Sequence, residues 1–259
     1  MTISCKAMLA GRHALITGGG TGIGAAIARC LAGQGAMVTL IGRRIAPITA
    51  VAAELEGAVA VAGDICDMAD VSRILATART ASGPIDILVN NAGAAESAPF
   101  ASLDMAAWRR MMSVNLDGLF AITQGALADL RAAEHGRIIN IASTAGVKGY
   151  AYTVPYCAAK HGAIGFTRAL AAELARTAVT VNAVCPGFTD TAIVEEAVAR
   201  ITTKTGQGAD EVRERLASFN PQGRLIDPQE VADAVLWLCR PASRSITGQA
   251  IMVAGGENS

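Results

Sequence analysis

Short runs of β-branched residues alternate with longer alanine-rich stretches along almost the whole chain. Seven such runs separate segments whose apolar residues recur at helical spacing, and six of the runs lead into one of these segments. This alternation is typical of βαβ units, whose right-handed crossovers place helices on both faces of a parallel sheet. The predicted strands are 13–17, 36–41, 58–62, 85–90, 136–142, 180–185 and 250–253.

The pattern predicts an α/β protein with a single domain over residues 1–259, built as a doubly wound, Rossmann-type fold with a seven-stranded parallel sheet. No repeat, low-complexity tract or linker divides the chain. The least regular segment, at about 189–225, follows the sixth predicted strand. We expect it to form a substrate lid over a crevice at the carboxyl ends of the strands, the alternative being a plain pair of surface helices.

The composition excludes several classes of protein. The 22 basic residues balance the 22 acidic residues, so we expect no nucleic-acid partner and no binding to an anionic membrane. No apolar run approaches the roughly 20 residues that cross a bilayer, and the first residues lack the long apolar segment of a signal peptide. We therefore expect a cytoplasmic protein that binds a small molecule. The six cysteines and three histidines are dispersed, so no metal site is expected.

A glycine-rich turn follows the first predicted strand. The letters T-G-G-G-T-G-I-G run from Thr17 to Gly24 and lead into a stretch of helical period. Gly18, Gly22 and Gly24 let the backbone turn tightly and approach a pyrophosphate, whose charge the helix N terminus stabilises. Such turns also occur for packing reasons. Because no Gly-Lys-Ser/Thr ending follows, a nucleotide-hydrolysing P-loop is disfavoured.

The second predicted strand ends in Gly42-Arg43-Arg44 and lacks the acid that NAD enzymes place about 20 residues after the turn to bind the adenosine ribose. No carboxylate occurs between Gly24 and Glu54. A guanidinium is planar and permanently charged, so it suits a 2′-phosphate. We therefore expect Arg43 and Arg44 to select NADP(H) over NAD(H), the alternative being a solvated pair of arginines.

Tyr156 and Lys160 are four residues apart in a stretch of helical period, so their side chains share one helix face. An ammonium about 5 Å from a phenol favours the phenolate by roughly 3 kcal/mol, which predicts a Tyr156 pKa lowered from about 10 to about 8. Such a phenol can exchange a proton with a carbonyl or alcohol oxygen. Ser143, at the end of the fifth predicted strand, would add a hydrogen bond to the same oxygen. Surface pairs at this spacing are common, so the surrounding motifs decide the interpretation.

These motifs occur together in the order found in the short-chain dehydrogenase/reductase family, in its form of roughly 250 residues, and the chain resembles that family over nearly its whole length. The matching segments are the glycine turn Thr17 to Gly24, the acid Asp64, the N-N-A-G motif Asn90-Asn91-Ala92-Gly93, the V-N-L-D-G segment with Asn115, Ser143 with Tyr156 and Lys160, and the turn Pro186-Gly187.

By this resemblance, the catalytic residues are Asn115, Ser143, Tyr156 and Lys160. Lys160 would also bind the nicotinamide ribose, and Asn115 would hold a water that relays protons between Lys160 and solvent. A tyrosine serves as acid or base, so the direction of reaction stays open. A non-catalytic NADP-binding sensor is the alternative of a different class, but it predicts loss of the tyrosine or the lysine. A serine hydrolase is disfavoured because no G-x-S-x-G elbow surrounds Ser143.

The resemblance also implies a complete site for a nicotinamide dinucleotide. Pro186, Gly187 and Thr189 would seat the nicotinamide ring, and Asp64 would lie near the adenine. The glycine turn has Thr21 where the NADP pattern of the family has a basic residue, so selection of NADP(H) would depend on the arginines after the second strand. The expected cofactor-binding residues are Thr17, Gly18, Thr21, Gly22, Ile23, Gly24, Arg43, Arg44, Asp64, Ile65, Asn91, Ala92, Gly93, Tyr156, Lys160, Pro186, Gly187 and Thr189.

The segment 152–181 and the following V-N-A-V-C-P-G-F resemble reductases of 3-oxoacyl thioesters, including polyketide ketoreductases. This implies reduction of a ketone to a secondary alcohol on an acyl chain carried by CoA or by acyl carrier protein (ACP). The alternative is a dehydrogenase that oxidises a cyclic or aromatic alcohol, or a hydroxyacyl-CoA, with NAD(P)+. Lys148 and Tyr152 are expected at the mouth of the substrate site.

The long segment 103–132 contains Asn115, Gly118 and Gly125 within a run of helical period, which predicts a kinked or interrupted helix. Family members of this type are usually tetramers. The resemblance therefore implies a homotetramer in which segments 103–132 and 166–174 pack against partner helices.

Overall fold

The computed structural model describes residues 7–257, so Cys5 lies outside the described part of the chain. Its strands form one parallel sheet in the spatial order 59–62, 37–42, 13–17, 87–90, 137–141, 180–186 and 250–253, which confirms the predicted Rossmann-type fold. Each predicted strand is present with ends within two residues of those expected. The strands are β1 (His13–Thr17), β2 (Met37–Gly42), β3 (Val59–Ala62), β4 (Ile87–Asn90), β5 (Arg137–Ile141), β6 (Thr180–Pro186) and β7 (Ala250–Val253).

Helices cover both faces of the sheet. Along β1, Ala14 and Ile16 pack on one face and Leu15 on the other, because successive side chains of a strand point to opposite sides. The first face is covered by the helices at 22–32, 45–52 and 228–239, and the second by those at 68–82, 118–132 and 154–173. The helices are α1 (Gly22–Ala32), α2 (Ile45–Ala52), α3 (Met68–Ser82), α4 (Met105–Met112), α5 (Gly118–Ala132), α6 (Val154–Glu173), α7 (Ala192–Thr205), α8 (Ala209–Ala217) and α9 (Pro228–Cys239).

The helix predicted over 103–132 is interrupted, as expected. A π-helical turn, Ser113–Asp117, separates α4 from α5 and contains the buried Asn115. Gly118 and Gly125 are glycines for a different reason, which is close packing rather than the interruption of the helix. A Cβ at Gly118 would lie 2.7 Å from the Ile65 side chain, and one at Gly125 would lie 2.4 Å from that of Leu75. Glycine therefore allows close packing at these positions, whereas the interruption itself is centred on Asn115.

The segment 189–225 contains a pair of helices, α7 and α8, with an apolar cluster of its own formed by Val194, Val198, Val212 and Leu216. Its two ends lie side by side. The Asp190 amide donates to the Ile226 carbonyl at 2.9 Å, and the Ile226 amide donates to the Phe188 carbonyl at 2.9 Å. The segment is thus a compact unit that joins the sheet through a narrow base beyond β6. We call it the helical insert.

Two features are absent from residues 7–257. No helix there combines the length and the apolar character that crossing a membrane requires. Within the same residues, no three His, Cys, Asp or Glu side chains are grouped so that they could hold a metal ion.

Candidate active site

The segments that follow β4 and β5 bring the predicted catalytic residues to one edge of the sheet. Ser143 lies two residues beyond β5, in extended conformation, and its Oγ accepts a hydrogen bond from the Ala145 amide at 3.1 Å. That bond caps the short 3-10 turn Thr144–Gly146. Helix α6 begins at Val154 with a proline in its first turn and carries Tyr156 and Lys160 along the face that meets this turn.

Tyr156 is bound by Ser143 and partly buried. Burial raises the pKa of Tyr156, and the hydrogen bond from Ser143 offsets this only in part. The expected lowering of the Tyr156 pKa to about 8 is therefore wrong for the protein without cofactor. The reason lies in Lys160, whose ammonium is 5.8 Å from the centre of the phenol ring and directed elsewhere. Tyr156 is a protonated phenol near neutral pH.

Lys160 is the buried cation of the site, with 5% of the residue exposed. Its Nζ donates to the Ile141 carbonyl oxygen at 2.8 Å. Burial favours the neutral amine, because a desolvated ammonium loses the hydration that stabilises its charge. It lowers the pKa of Lys160 to about 8. The residue can therefore gain or lose a proton close to neutral pH.

Asn115 lies beside Lys160, as the sequence motifs imply. Its Nδ2 donates to the carbonyl oxygens of Met111 and Ala94, each at 3.0 Å, and its Oδ1 accepts from the Ala94 amide at 3.3 Å. Gly93 closes the gap between them, since a Cβ there would be 2.8 Å from Asn115 Oδ1 and 3.6 Å from Lys160 Nζ. The structure therefore brings all four predicted catalytic residues together at one edge of the sheet.

The glycine turn has the shape needed for close approach of a phosphate. Gly18 has a φ of 66°, and a Cβ there would be 3.0 Å from the Ala92 Cα, while a Cβ at Gly24 would be 2.2 Å from the Gly18 carbonyl oxygen. Thr21 precedes α1 without making a side-chain capping bond, and no acid lies in the first turn. The amides of that turn are thus available to an anion. These residues fit a dinucleotide pyrophosphate.

Several of the predicted cofactor-binding residues stabilise the glycine turn through hydrogen bonds and packing. The buried Thr17 hydroxyl accepts from the amides of Asn91 and Ala92, each at 3.0 Å. Asn91 Nδ2 in turn donates to the carbonyl oxygens of Thr17 and Gly18 at 3.0 Å. Ile23 packs on the apolar core. Thr17, Asn91 and Ile23 therefore hold the strand ends and the glycine turn in place.

The turn after β6 and the start of the helical insert face the glycine turn. Pro186 is buried at the end of β6, and the Thr189 hydroxyl donates to the Gly187 carbonyl at 3.0 Å. Sequence reasoning missed Thr191, the residue before α7. A Cβ at Gly22 would be 2.9 Å from the Thr191 methyl group, so the start of α7 lies directly against the glycine turn. A threonine before an apolar helical run is a signal that could have indicated it.

A cavity of about 390 Å³ lies beyond β2 and β3, where the family resemblance implies the adenine end of the site. Arg43 and Asp64 line it, whereas Arg44 precedes α2 and is not among the lining residues. Ile65 is buried against Gly118. Arg73, which the sequence did not indicate, also lines the cavity, and its guanidinium donates to the Ala62 carbonyl at 2.8 Å. A single arginine on a helix belongs to no recognisable sequence motif, so the position of Arg73 in this cavity is known only from the structure.

Comparisons with known proteins agree with this geometry. Residues 12–202 match the family described as short chain dehydrogenase. The chain is 40% identical over 249 residues to the granaticin polyketide synthase putative ketoacyl reductase 1 of Streptomyces violaceoruber, covering 94% of this chain and 92% of that protein. It is 39% identical over 250 residues to cis-4-hydroxycyclohexanecarboxylate dehydrogenase of Sinomonas cyclohexanicum, covering 95% and 96%.

A solved structure extends the agreement to the whole fold. A variant of actinorhodin polyketide ketoreductase with NADPH superposes with a TM-score of 0.92 at 35% sequence identity, over 97% of this chain and 100% of that chain. The chain therefore belongs to the short-chain dehydrogenase/reductase family and is an NAD(P)-dependent oxidoreductase.

Proposed function

We propose that the chain reduces the ketone of a 3-oxoacyl thioester to a secondary alcohol with NADPH. The observation that carries the proposal is the similarity, at 40% identity over 94% of the chain, to a putative ketoacyl reductase of polyketide synthesis. Tyr156, hydrogen-bonded to Ser143 and with its pKa raised by burial, can serve as the proton donor that such a reduction needs. A group that holds its proton near neutral pH acts as a general acid, and ketone reduction requires an acid where alcohol oxidation requires a base. The similarity to a ketoacyl reductase of polyketide synthesis supports the acyl substrate.

In this proposal each catalytic residue has a separate role in transferring a proton to the substrate oxygen. A bound dihydronicotinamide supplies the hydride. Ser143 donates a hydrogen bond to the carbonyl oxygen and orients it beside Tyr156, which transfers its proton as negative charge develops there. The Lys160 ammonium then stabilises the phenolate that remains and helps to return a proton to it. Asn115, in its π-helical turn, would hold the water that links Lys160 to solvent.

The preference for NADP(H) is part of the same proposal. Arg43 lines the cavity beyond β2, and no carboxylate stands at the end of that strand to bind an unphosphorylated ribose. Arg73 adds a second guanidinium to the same cavity, although its pairing with Asp70 at 2.5 Å offsets part of its charge. We assign the 2′-phosphate to Arg43 and the pyrophosphate to the glycine turn.

A dehydrogenase for a cyclic alcohol is the second candidate, because a relative at 39% identity is named for oxidation of a hydroxycyclohexane acid. The two candidates share the catalytic residues and differ in the substrate that the helical insert would enclose as a lid. They also differ in direction, since oxidation needs Tyr156 to lose its proton first.

The discriminating experiment measures kcat/KM for 3-oxoacyl-CoA, 3-oxoacyl-ACP, simple ketones and cyclic alcohols, each with both cofactors, by the absorbance of the dihydronicotinamide. We expect the highest value for a 3-oxoacyl thioester with NADPH. Tyr156→Phe, which keeps the ring and removes the proton, should lower it by about 10² or more. Faster oxidation of a cyclic alcohol, or full activity of Tyr156→Phe, would contradict the proposal.

We also propose a homotetramer. Two large apolar side chains are exposed on the interrupted helix pair, Met105 on α4 and Phe120 on α5, where the family resemblance implies partner helices. Light scattering should give four times the chain mass, and Phe120→Glu should yield smaller species. A monomeric wild-type protein would contradict this assembly.

A further inference from the structure

The side chain of Glu257 is a buried carboxylate beside the candidate active site, with 1% of it exposed. A buried charge needs partners. Two donors meet at its Oε1, the Lys148 ammonium at 3.1 Å and the Tyr150 hydroxyl. Among residues 7–257 nothing hydrogen-bonds to its Oε2, which lies against Gly187, where an added Cβ would be 3.0 Å away. A carboxylate kept buried and half satisfied at this place indicates a role beyond packing.

Tyr150 connects Glu257 to the segment of the catalytic serine. Its hydroxyl oxygen is also 2.6 Å from the Thr144 hydroxyl. A phenol has one proton, so when Tyr150 donates to Glu257, Thr144 donates to Tyr150. Burial and the bond to Glu257 raise the pKa of Tyr150, which keeps it a donor. Thr144 directly follows Ser143, so the carboxylate is linked through two hydrogen bonds to the residue next to the catalytic hydroxyl.

The ring of Tyr150 meets two phenylalanines from other segments. Its centre is 6.0 Å from that of Phe188, which follows the β6 turn, and 6.0 Å from that of Phe219, which belongs to the helical insert. Phe188 and Phe219 stack with their centres 5.2 Å apart. We call these three residues the aromatic trio. Phe219 is 45% exposed, so the trio is open on one side and can receive apolar substrate carbon.

The chain beyond β7 places Glu257 firmly at this junction. The Gly187 amide donates to the Val253 carbonyl at 3.0 Å, which ties the two strand ends together. Gly255 has a φ of 55°, and a Cβ there would be 1.9 Å from Asn220 Oδ1, so glycine is needed for Asn220 of the helical insert to pack against this stretch. Contacts with the turn after β6 and with the helical insert therefore fix the position of the stretch that carries Glu257, while Glu257 itself binds Tyr150.

We propose that Glu257 is a positioning residue which, through Tyr150, holds the Ser143 segment and the aromatic trio in the arrangement that binds the carbonyl substrate. The inference rests on the proposed function in one respect, that the substrate of the same site packs on the trio. Glu257 acts through Tyr150 rather than on the reacting atoms. Its loss should therefore weaken substrate binding more than it slows the chemical step.

The test compares Glu257→Ala, Glu257→Gln, Tyr150→Phe and the double variant Glu257→Ala/Tyr150→Phe in the full chain. Glu257→Ala should raise the ketone KM about tenfold and change kcat by less than about twofold, since a hydrogen bond to a charged group is lost. Glu257→Gln should restore most of the KM, because its amide oxygen accepts the Tyr150 bond. The double variant should be no worse than Glu257→Ala, since both changes remove one interaction.

Hydrogen exchange gives a readout that needs no substrate. Glu257→Ala should speed amide exchange in residues 144–150 and leave β1 unchanged, whereas Glu134→Ala, at a side chain 90% exposed, should change neither. If wild-type protein reduces no ketone but this exchange responds, the proposed function is wrong and the positioning by Glu257 stands. An unchanged KM with unchanged exchange, an equal loss in Glu257→Gln, or additive effects in the double variant would overturn the inference.

Discussion

The Lys160 ammonium donates a hydrogen bond to the Ile141 carbonyl, 2.8 Å away, and so joins α6 to the last residue of β5. The bond uses one of the three donors of the ammonium and brings no opposite charge. Burial consequently dominates and lowers the pKa of Lys160 to about 8. The charge of the site is therefore sensitive to pH close to neutrality.

Cofactor binding should weaken as the pH rises through about 8, because Lys160 then loses the charge that attracts an anionic dinucleotide. We expect the NADPH Kd to rise by up to about tenfold for each pH unit above the midpoint. Fluorescence titration of NADPH on both sides of the midpoint measures this. Lys160→Met is the control, and the same pH dependence in that variant would show that another group is responsible.

Lys160 should also cost the fold stability near neutral pH. Its folded pKa of about 8 lies below the ordinary 10.5, so between these values the unfolded chain binds more protons than the folded one. The cost is complete below about pH 8 and disappears as the pH rises to 10.5. We expect Lys160→Met to raise the free energy of unfolding by about 1–3 kcal/mol near pH 7 while abolishing activity. Urea denaturation at neutral and alkaline pH checks it, and equal stabilisation at both would contradict the assignment.

The two arginines after β2 should differ in their effect on the cofactor. Arg43 lines the adenine cavity and Arg44 does not. Arg43→Ser should weaken NADPH binding by about 30-fold, the size expected for a lost guanidinium–phosphate bond, and leave NADH binding nearly unchanged. Arg44→Ser is the matched control and should change the Kd of NADPH by less than about threefold. An equal loss of NADPH affinity in both variants would show that Arg43 and Arg44 bind the 2′-phosphate together.

Replacing glycine by alanine should have opposite effects on stability at a position where glycine is required and at one where it is not. Gly24→Ala places a Cβ 2.2 Å from the Gly18 carbonyl oxygen, so the turn must distort. We expect NADPH binding to be lost and stability to fall by about 2 kcal/mol or more. Gly165→Ala, in the middle of α6, places its Cβ more than 4 Å from every atom outside the adjacent helix backbone, so it should instead raise stability by up to about 1 kcal/mol. Thermal unfolding with and without NADPH compares the two.

The fold follows from the sequence because its determinants are local. The strands β1 and β6 are buried on both faces and therefore lack an alternating pattern, but their short length and their β-branched residues identify them as strands. The interruption near Asn115 was also foreseen. The roles of Gly118 and Gly125 were not, since they depend on Ile65 and Leu75, which are distant in the sequence and come close only through packing.

Electrostatic properties of the site were harder to predict for a similar reason. The spacing of Tyr156 and Lys160 gives a shared helix face, but it contains no information on burial, which reverses the direction of the Tyr156 pKa. Arg73 and Glu257 carry no motif at all. Each gains significance from a partner on another element, Ala62 at the end of β3 for Arg73 and the distant Tyr150 for Glu257. A sequence motif indicates which residues react, whereas the burial and the partners of those residues can be seen only in the folded structure.

The narrow base of the helical insert has an evolutionary consequence. Because the insert has its own apolar cluster and enters and leaves the sheet side by side at Phe188 and Ile226, its sequence can drift, or be exchanged for that of a relative, without altering the strands that carry the catalytic groups. If the insert encloses the substrate as proposed, selection on substrate size can act on this one segment. The contacts that such an exchange must preserve include Thr191 against the glycine turn, Asn220 against Gly255 and Phe219 against Tyr150.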